Sequence, residues 1–551
     1  MFWDRHFPVL EAALAALHKR EFWTPYPEIP SGKIYGETAK QDGLNAYESL
    51  LNKPFILADH PESTRFGAEL SPYGTALGIT YPAATVEQLM DAANAAADAF
   101  AQTDAKARIG ALLEALARLN RESFLMGNAV MHTTGQAFAM AFQAGGPHAQ
   151  DRALEAVAMA WEEMNRFPAD ALWEKPQGKN PALRIEKHWT LVPEGIALAI
   201  GCNTFPTWNS FPGIFASLAT GNPVIVKPHP AAVLPLAIAV KVLREVFAEA
   251  DLPVNAILLA VDSAETPIAD KLAVHNDICL IDYTGSSAFG GWLRDHARQA
   301  QLFTEEAGVN TVTIAATDNF KAMTDNLAFS FALYSGQMCT SPQNVYIPAD
   351  GIETDEGHKS FEQVAQGLSD AIDRLLADPD RAAGICGAIA NPATLERVQT
   401  ARKLGRKLGR IIRDSASLPA ARSATPLILA MQESDKVTED EWFGPVIFVI
   451  PAKDATSAIT TASALARRKG AITAALYDTD ETRIQQATIA FARGGVNLSV
   501  NLTGNIFVNQ SAAFSDFHVT GANPAGNACL TDTAFVASRF RRAMWRRPVT
   551  N

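Results

Sequence analysis

Between Gly195 and Val226 the chain runs for 32 residues without one charged side chain. A run of this kind lies either in lipid or in the middle of a protein core. It is long enough to span a bilayer, but Pro206, Pro212 and Pro223 punctuate it, and the amides of Asn203, Asn209 and Asn222 would be left unsatisfied in hydrocarbon. The stretch therefore reads as strand, loop, short helix and strand inside a core.

The same alternation continues beyond it. Strands are expected at Ile196–Ile200, Val224–Lys227, Ala256–Val261 and Ile278–Asp282, with helices at Phe211–Leu218 and Leu234–Glu249. Strands separated by helices of this length form parallel βαβ units. The last strand enters the turn Tyr283-Thr284-Gly285-Ser286-Ser287, which opens a helix over Ala288–Ala300. Backbone N–H groups and the helix dipole at such a turn can receive a phosphate. No G-x-G-x-x-G accompanies it, so the turn is weak evidence of a dinucleotide site when taken alone.

A second alternating region runs from Ala307 to about Gly495, with strands at Thr311–Ile314, Asn344–Ile347, Val446–Ile450 and Ile472–Tyr477 and a helix at Phe329–Ser335. A chain of 551 residues exceeds what one ordinary core holds. The fold class expected is α/β: an N-terminal extension (1–66), one doubly wound domain (67–304), a second (305–495), and a C-terminal strand, loop and basic tail (496–551). The mixed segment 180–193 reads as strands of a small projecting sheet. The extension is helical at Pro8–Leu17 and then rich in Pro, Tyr and Gly, which suits an arm packed on another part of the molecule or on its surface. Thr85 and Gln88 form a capping-box pattern that starts a helix running to Phe100, and Ile109, Leu112, Leu113, Leu116 and Leu119 make one apolar helical stripe.

Charge and cysteine usage narrow the function. With 47 basic against 59 acidic residues the net charge is −12, and no domain carries the basic stripe that nucleic acid or an anionic membrane requires. The five cysteines, Cys202, Cys279, Cys339, Cys386 and Cys529, show no paired spacing, so neither a disulfide framework nor a metal site is expected. The first residues do not have the shape of a signal peptide, and a cytoplasmic protein is the expectation.

Cys339 lies in Leu333–Pro342, LYSGQMCTSP, among small turn-forming residues. A thiolate there can add to a carbonyl carbon and later leave. Glu305 and Glu306 precede Ala307-Gly308, and a carboxylate in an apolar setting has a raised pKa suited to a general base. Asn203 sits in Cys202-Asn203-Thr204-Phe205-Pro206, Lys227 ends a strand before Pro228, and Glu441-Trp442-Phe443-Gly444-Pro445 joins an acid and an aromatic to a Gly-Pro turn.

In this order the motifs resemble the NAD(P)-dependent aldehyde dehydrogenase superfamily over roughly Gly67–Asn509, and its PaaN-type members from phenylacetate degradation over nearly the whole chain. The resemblance implies a cofactor-binding domain (67–304), a catalytic domain (305–495) and a small oligomerisation sheet. It implies Cys339 as nucleophile and Glu305 as base, 34 residues earlier as is usual in the family, with Glu306 as competitor. Asn203 and the Cys339 backbone N–H would form the oxyanion hole. One residue more than usual, most simply Thr204, leaves Asn209 open as the alternative. Lys227 would hold the adenosine ribose, Gly285 and Ser286 the pyrophosphate, Glu441 and Phe443 the nicotinamide ribose and ring.

The family commonly has a glutamate three residues after that lysine. Here Pro230 stands there, so NADP is the expected cofactor and NAD the alternative. His229 reads as an exposed loop histidine, with a phosphate contact as the other option. No metal is implied. The expected substrate is an aldehyde, in the PaaN-type reading a semialdehyde on a CoA thioester, and the expected assembly a homodimer or homotetramer. A CoA-acylating dehydrogenase and a cysteine thioesterase or non-catalytic binding subunit are the alternatives. The loop holding Ala513-Phe514-Ser515-Asp516 and Gly521-Ala522-Asn523-Pro524 departs from the family pattern. The tail arginines Arg539, Arg541, Arg542, Arg546 and Arg547 read as a subunit-interface or solvated tail, or as a site for an anionic substrate.

Overall fold

The computed structural model describes residues 2–306, 308–408, 420–509, 523–526 and 533–549. Two large sheets and one small sheet organise it. In the first, five parallel strands lie in the order Ile257–Leu259, Val224–Lys227, Ile196–Ile200, Ile278–Thr284 and Gln301–Glu305. Successive side chains of a strand point to opposite faces, and both faces are covered. Ala197, Ala199, Val224 and Val226 enter one apolar cluster, while Ile196, Leu198, Ile200 and Ile225 enter another. The uncharged run is thus explained: Ile196–Ile200 is buried along its whole length, and the helix after it, Pro206–Ala219, is buried nearly all round.

The second sheet has seven strands, in the order Arg406–Leu408, Leu427–Ala430, Val446–Ala452, Asn344–Pro348, Thr311–Ile314, Thr473–Tyr477 and Asn497–Val500. All pairs are parallel except the edge pair Arg406–Leu408 with Leu427–Ala430. It too separates two apolar clusters, one holding Val312, Val345 and Ile447 and the other Tyr346, Leu429 and Phe448. Among the described residues no helix is long and apolar enough to cross a membrane.

Several element limits differ from expectation, each for a local reason. The helix expected at Phe329–Ser335 is Phe320–Ala332, because Asn319 caps it by accepting from Ala322 N, and a left-handed turn then stops it. The helix expected at Phe211–Leu218 begins at Pro206, where proline suits the first turn. The helix expected at Ala288–Ala300 is Ser287–His296, capped by Ser286. The helix expected at Pro8–Leu17 extends over Phe2–Lys19 with Pro8 in its first turns, and the strand expected at Ala256–Val261 contracts to Ile257–Leu259. The capping box at Thr85 and Gln88 forms as the pattern suggests.

The N-terminal residues are packed as core. Trp3 lies 4.6 Å from Trp161, ring to ring, and Gly110 permits the approach, since a Cβ there would come within 2.5 Å of Trp3 N. Thr24 Oγ1 donates to buried Asp151 at 2.6 Å.

The third sheet is antiparallel: Phe540–Pro548, Asn180–Pro193 and Asp170–Gln177. The basic tail is therefore a strand. Arg541 Nε donates to Glu194 at 2.6 Å and Arg547 pairs with Glu186. Arg539 is fully buried. It donates to Asp282 at 2.6 and 2.9 Å and to Ser217 Oγ at 2.7 Å, and it lies 4.4 Å from the rings of both Phe303 and Phe535. The approach is close enough that a Cβ on Gly213 would stand 2.3 Å from the Asp282 carboxyl carbon.

Removing one partner of a buried ion pair strands the other charge, at a cost of about 3–5 kcal/mol. Arg539→Ala is expected to lower unfolding free energy by that order in urea denaturation followed by circular dichroism. A loss below about 1 kcal/mol would show that the Asp282 pair does not hold the tail to the first sheet.

Candidate active site

The site forms where the carboxyl ends of the first sheet's strands meet the amino ends of the second sheet's. Asn203 follows Ile196–Ile200, Lys227 ends its strand, Gly285 follows Ile278–Thr284, and Glu305 ends Gln301–Glu305. From the other side, Cys339 precedes Asn344–Pro348 and Glu441 precedes Val446–Ala452.

The approach to Cys339 is backbone in an uncommon conformation. Tyr334, Ser335 and Gly336 have φ of 50°, 51° and 64° in succession. Left-handed backbone costs a residue with a Cβ about 1–2 kcal/mol, so the turn persists only because its surroundings fix it. Tyr334 donates its hydroxyl to Thr134 O at 2.5 Å. Ser335 Oγ is 2.8 Å from Ala424 O and 3.0 Å from Cys386 O. Gly336 is required, because a Cβ would lie 2.5 Å from Gly444 O. Beyond the turn, Asn310 Nδ2 donates to Cys339 O at 2.7 Å and Ser341 O at 3.0 Å, while its Oδ1 accepts from Ile472 N and Thr473 N. One asparagine thus ties the nucleophile loop to two strands of the second sheet.

Cys339 and Glu305 stand close enough that each shifts the ionisation of the other. Burial raises the thiol well above the ordinary cysteine range, and the adjacent carboxylate raises it further. Burial likewise raises Glu305, opposed by the Arg152 guanidinium and by the neighbouring thiol. The competitor Glu306 is turned away: Arg294 grips both its oxygens from the helix Ser287–His296, close beneath Gly290.

The two candidate asparagines differ in what their amides do. Asn209 donates its Nδ2 to Cys202 Sγ at 3.5 Å. Asn203 Nδ2 is buried and meets no acceptor among the described residues, so it is a donor held ready. Its loop lies against the nucleophile loop, since Cys202, Phe205, Tyr334 and Met338 share one apolar cluster. The extra residue Thr204 is accommodated by Gln136, which donates to its carbonyl at 2.8 Å.

On the cofactor side, Ser286 caps its helix, and Gly285 N donates to Glu305 O at 3.0 Å, joining the turn to the strand that carries the base. A Cβ on Gly285 would stand 2.4 Å from the Tyr283 hydroxyl, so the turn needs glycine. Lys227 Nζ is 2.6 Å from Asp262 and donates to Pro228 O at 2.8 Å. His229 is half-buried, and not exposed as expected. Glu441 and Phe443 line a pocket with Gly308, Gly336, Met338 and Gly444. Gln343 Oε1 accepts from Trp442 N at 2.6 Å, which couples the Glu441 loop to the strand that follows Cys339. Burial pushes Glu441 up to about 7, against the Gly308 N–H and Arg397, which favour its charge.

An acid lining a pocket beside the nucleophile, a glycine turn opening a helix and a strand-end lysine are the donors and acceptors a dinucleotide needs, so the residues fit that cofactor. Among the described residues no cluster suits a metal ion. Residues 513–516, 521 and 522 of the divergent loop, and Cys529, lie outside the described residues.

Two functional residues were missed by sequence reasoning. Asn310 gives no signal beyond preceding a strand. Arg152 lies on the buried helix Pro147–Asn165, 4.9 Å from the Trp208 ring, and donates to Trp208 O at 3.2 Å. Its only signal is its place beside Gln150, Asp151 and Glu155 in a helix too buried for so many polar groups.

Residues 63–515 match the sequence model of the Aldehyde dehydrogenase family. The chain is similar to the crystal structure of an NAD-dependent aldehyde dehydrogenase from Burkholderia multivorans, with TM-score 0.98 and 52% identity, covering 100% of this chain and 99% of that one. It also has the fold of a 1-pyrroline-5-carboxylate dehydrogenase from Thermus with bound NAD, with TM-score 0.75 and 18% identity over 96% of this chain and 99% of that one. Among curated proteins, an N-succinylglutamate 5-semialdehyde dehydrogenase from Yersinia pseudotuberculosis is 28% identical over 60% of this chain and 63% of its own length. A 1-pyrroline-5-carboxylate dehydrogenase from Bacillus subtilis is 23% identical over 60% and 62%. The match spans less than two thirds of each of these two relatives.

A carboxyl group near pKa 7 is mostly protonated at pH 6 and mostly ionised at pH 8, and only the ionised form accepts from both hydroxyls of a ribose. NADH affinity, followed by nicotinamide fluorescence, is expected to rise up to roughly tenfold across that interval. Glu441→Gln should flatten the profile. The same slope in that variant would remove Glu441 from the ribose.

Proposed function

The chain belongs to the aldehyde dehydrogenase family, and from that premise we propose that it oxidises an aldehyde to a carboxylic acid with reduction of a nicotinamide dinucleotide. The observation that carries the proposal is the juxtaposition of the Cys339 thiol and the buried Glu305 carboxyl group, each of which shifts the ionisation of the other.

In this reading Glu305 accepts the proton of the neighbouring Cys339 thiol. The thiolate attacks the aldehyde carbon, a C–S bond forms, and the carbonyl oxygen becomes an alkoxide. Asn203 Nδ2, buried and without an acceptor, donates to that oxygen together with the Cys339 backbone N–H. Lys227, Gly285, Ser286, Glu441 and Phe443 hold the dinucleotide, whose chemistry is to accept the hydrogen of that carbon with its electron pair. A thioester is left on Cys339. Glu305, its proton released to solvent, takes a proton from water, the hydroxide oxygen attacks the thioester carbon, and the thiolate leaves. Arg152 favours the ionised forms of both Glu305 and Cys339 throughout.

The PaaN-type resemblance supports a finer reading, a semialdehyde carried on a CoA thioester after aromatic ring opening in phenylacetate degradation. The antiparallel sheet supports a homodimer or homotetramer, since it exposes Trp173, Leu183 and Met544 on one face and Leu172 and Trp545 on the other. Light scattering at the monomer mass of 59.2 kDa would remove that reading. All four described cysteines are free, which supports a reducing, cytoplasmic setting.

Turnover is read from reduced-nicotinamide absorbance with a panel of aldehydes and both cofactors. Cys339→Ala is expected to abolish it while NADH still binds, and Asn203→Ala to lower kcat about 10²–10³-fold. Glu305→Gln should slow both acylation and release, leaving acyl-enzyme visible by mass spectrometry. Unchanged turnover in Cys339→Ala overturns the mechanism. Acyl-CoA as the product, formed only when CoA is added, favours the acylating alternative.

A further inference from the structure

Lys227 and Asp262 project from neighbouring parallel strands at the sheet edge where a dinucleotide lies. Val224–Lys227 pairs with Ile257–Leu259, and Ala260 N still donates to Val226 O at 2.7 Å, so the two chains run together up to the edge. Three residues past the second strand, Asp262 Oδ1 reaches Lys227 Nζ at 2.6 Å, with side chains only 2% and 5% exposed. The other oxygen, Oδ2, accepts from Ile268 N at 3.0 Å, which fixes the carboxylate in place. Lys227 spends a second proton on Pro228 O.

The expectation of NADP rested on Pro230, which stands where the family has a glutamate. That reasoning looks only three residues along the chain. In space a carboxylate is present beside the same lysine, contributed by the next strand.

No second cation replaces the one it neutralises. His229 Nδ1 accepts from Ala231 N at 3.1 Å, which puts the ring's proton on the other nitrogen of a neutral imidazole. Burial and the neighbouring Lys227 hold it down at about 4, so it stays uncharged at neutral pH. A 2′-phosphate arriving here would meet a lysine whose charge is already cancelled, a carboxylate and a neutral ring. A ribose diol carries no charge and meets no such penalty.

We propose that Asp262, acting through Lys227, sets the cofactor choice of this chain in favour of NAD over NADP. The assignment rests on the dehydrogenase reading and names the specificity of its cofactor site. Asp262 is a positioning residue here, and the property it controls is the ratio of two affinities, which a merely structural role would not shift.

The test is fluorescence titration of the full-length protein with NADH and with NADPH. Wild type is expected to bind NADH at least about tenfold more tightly, the scale of one charge-assisted contact. In Asp262→Asn the ratio should fall towards or below one, mainly because NADPH gains against an uncancelled lysine. If circular dichroism shows that Asp262→Asn does not fold, Lys227→Gln/Asp262→Asn removes both buried charges together and should keep a preference within about threefold of wild type. NADPH preferred by wild type, an unchanged ratio in folded Asp262→Asn, or loss of the preference in the double variant each overturns the assignment. Binding of neither dinucleotide overturns the dehydrogenase reading and the assignment with it.

Discussion

A half-buried thiol set beside a buried carboxyl group is the constraint to which the rest of the site answers. Burial raises both Cys339 and Glu305, so the thiol is a poor nucleophile until its proton is taken, while the carboxylate is a stronger base than a solvated one. The thiol depends on the carboxylate, which demands that their separation be fixed by structure that does not relax. The left-handed run at Tyr334, Ser335 and Gly336 aims the loop, and Asn310 fastens its carbonyls to strands that cannot move independently. On the opposite side Glu305 is the last residue of a strand, held in register with Thr284. A group at a strand end inherits the rigidity of the sheet, whereas a group on a long loop would not.

That placement also governs the other charges. Three further carboxylates, Asp262, Asp282 and Glu306, are each committed to a cation. Glu306 is one residue from the base, yet it is committed to Arg294. Asp282 lies on the strand next to the base strand, with Arg539 covering it from the far end of the chain. Asp262 is held against Lys227. The Arg539 and Lys227 pairs are buried on both sides, so each of these two is costly to break from one side. The returning C-terminal strand therefore takes part in the electrostatics of the first sheet as well as in the third sheet's hydrogen bonding.

What could be read in the sequence was local. An uncharged run with prolines at particular places allowed few arrangements, and Ile196–Ile200 and Val224–Lys227 are strands with the limits the pattern suggests. The cap at Thr85 was visible because a cap is a relation among residues three or fewer apart. The start of the helix at Phe320 was missed although Asn319 offered the same kind of signal, because the apolar spacing further on drew attention away from it. Arg152, Asn310, Asp262 and Arg539 were beyond local reading for a deeper reason. Their partners are up to 322 residues distant, as with Arg539 and Ser217, and nothing in composition marks a charged residue as buried until the fold has covered it. Pro230 and Asp262 make the contrast plain: the missing carboxylate was legible at once, and the one beside the lysine only in three dimensions.

The two ends of the cleft differ in how closely their opposite charges meet. At one end Lys227 and Asp262 are in direct contact and cancel, and the residue beside them is a neutral histidine. At the reaction end Arg152 has a backbone carbonyl and an aromatic ring as its near partners, neither of which cancels its charge. Its field falls on both Glu305 and Cys339. One negative charge moves through that region during the proposed reaction: on Glu305 at the start, on the sulfur after proton transfer, and on the alkoxide after attack. The total stays constant, with one fixed positive charge nearby. In a site of low polarity the costly event is the creation of a new separated charge, and this sequence of steps only relocates one that the fold has already compensated.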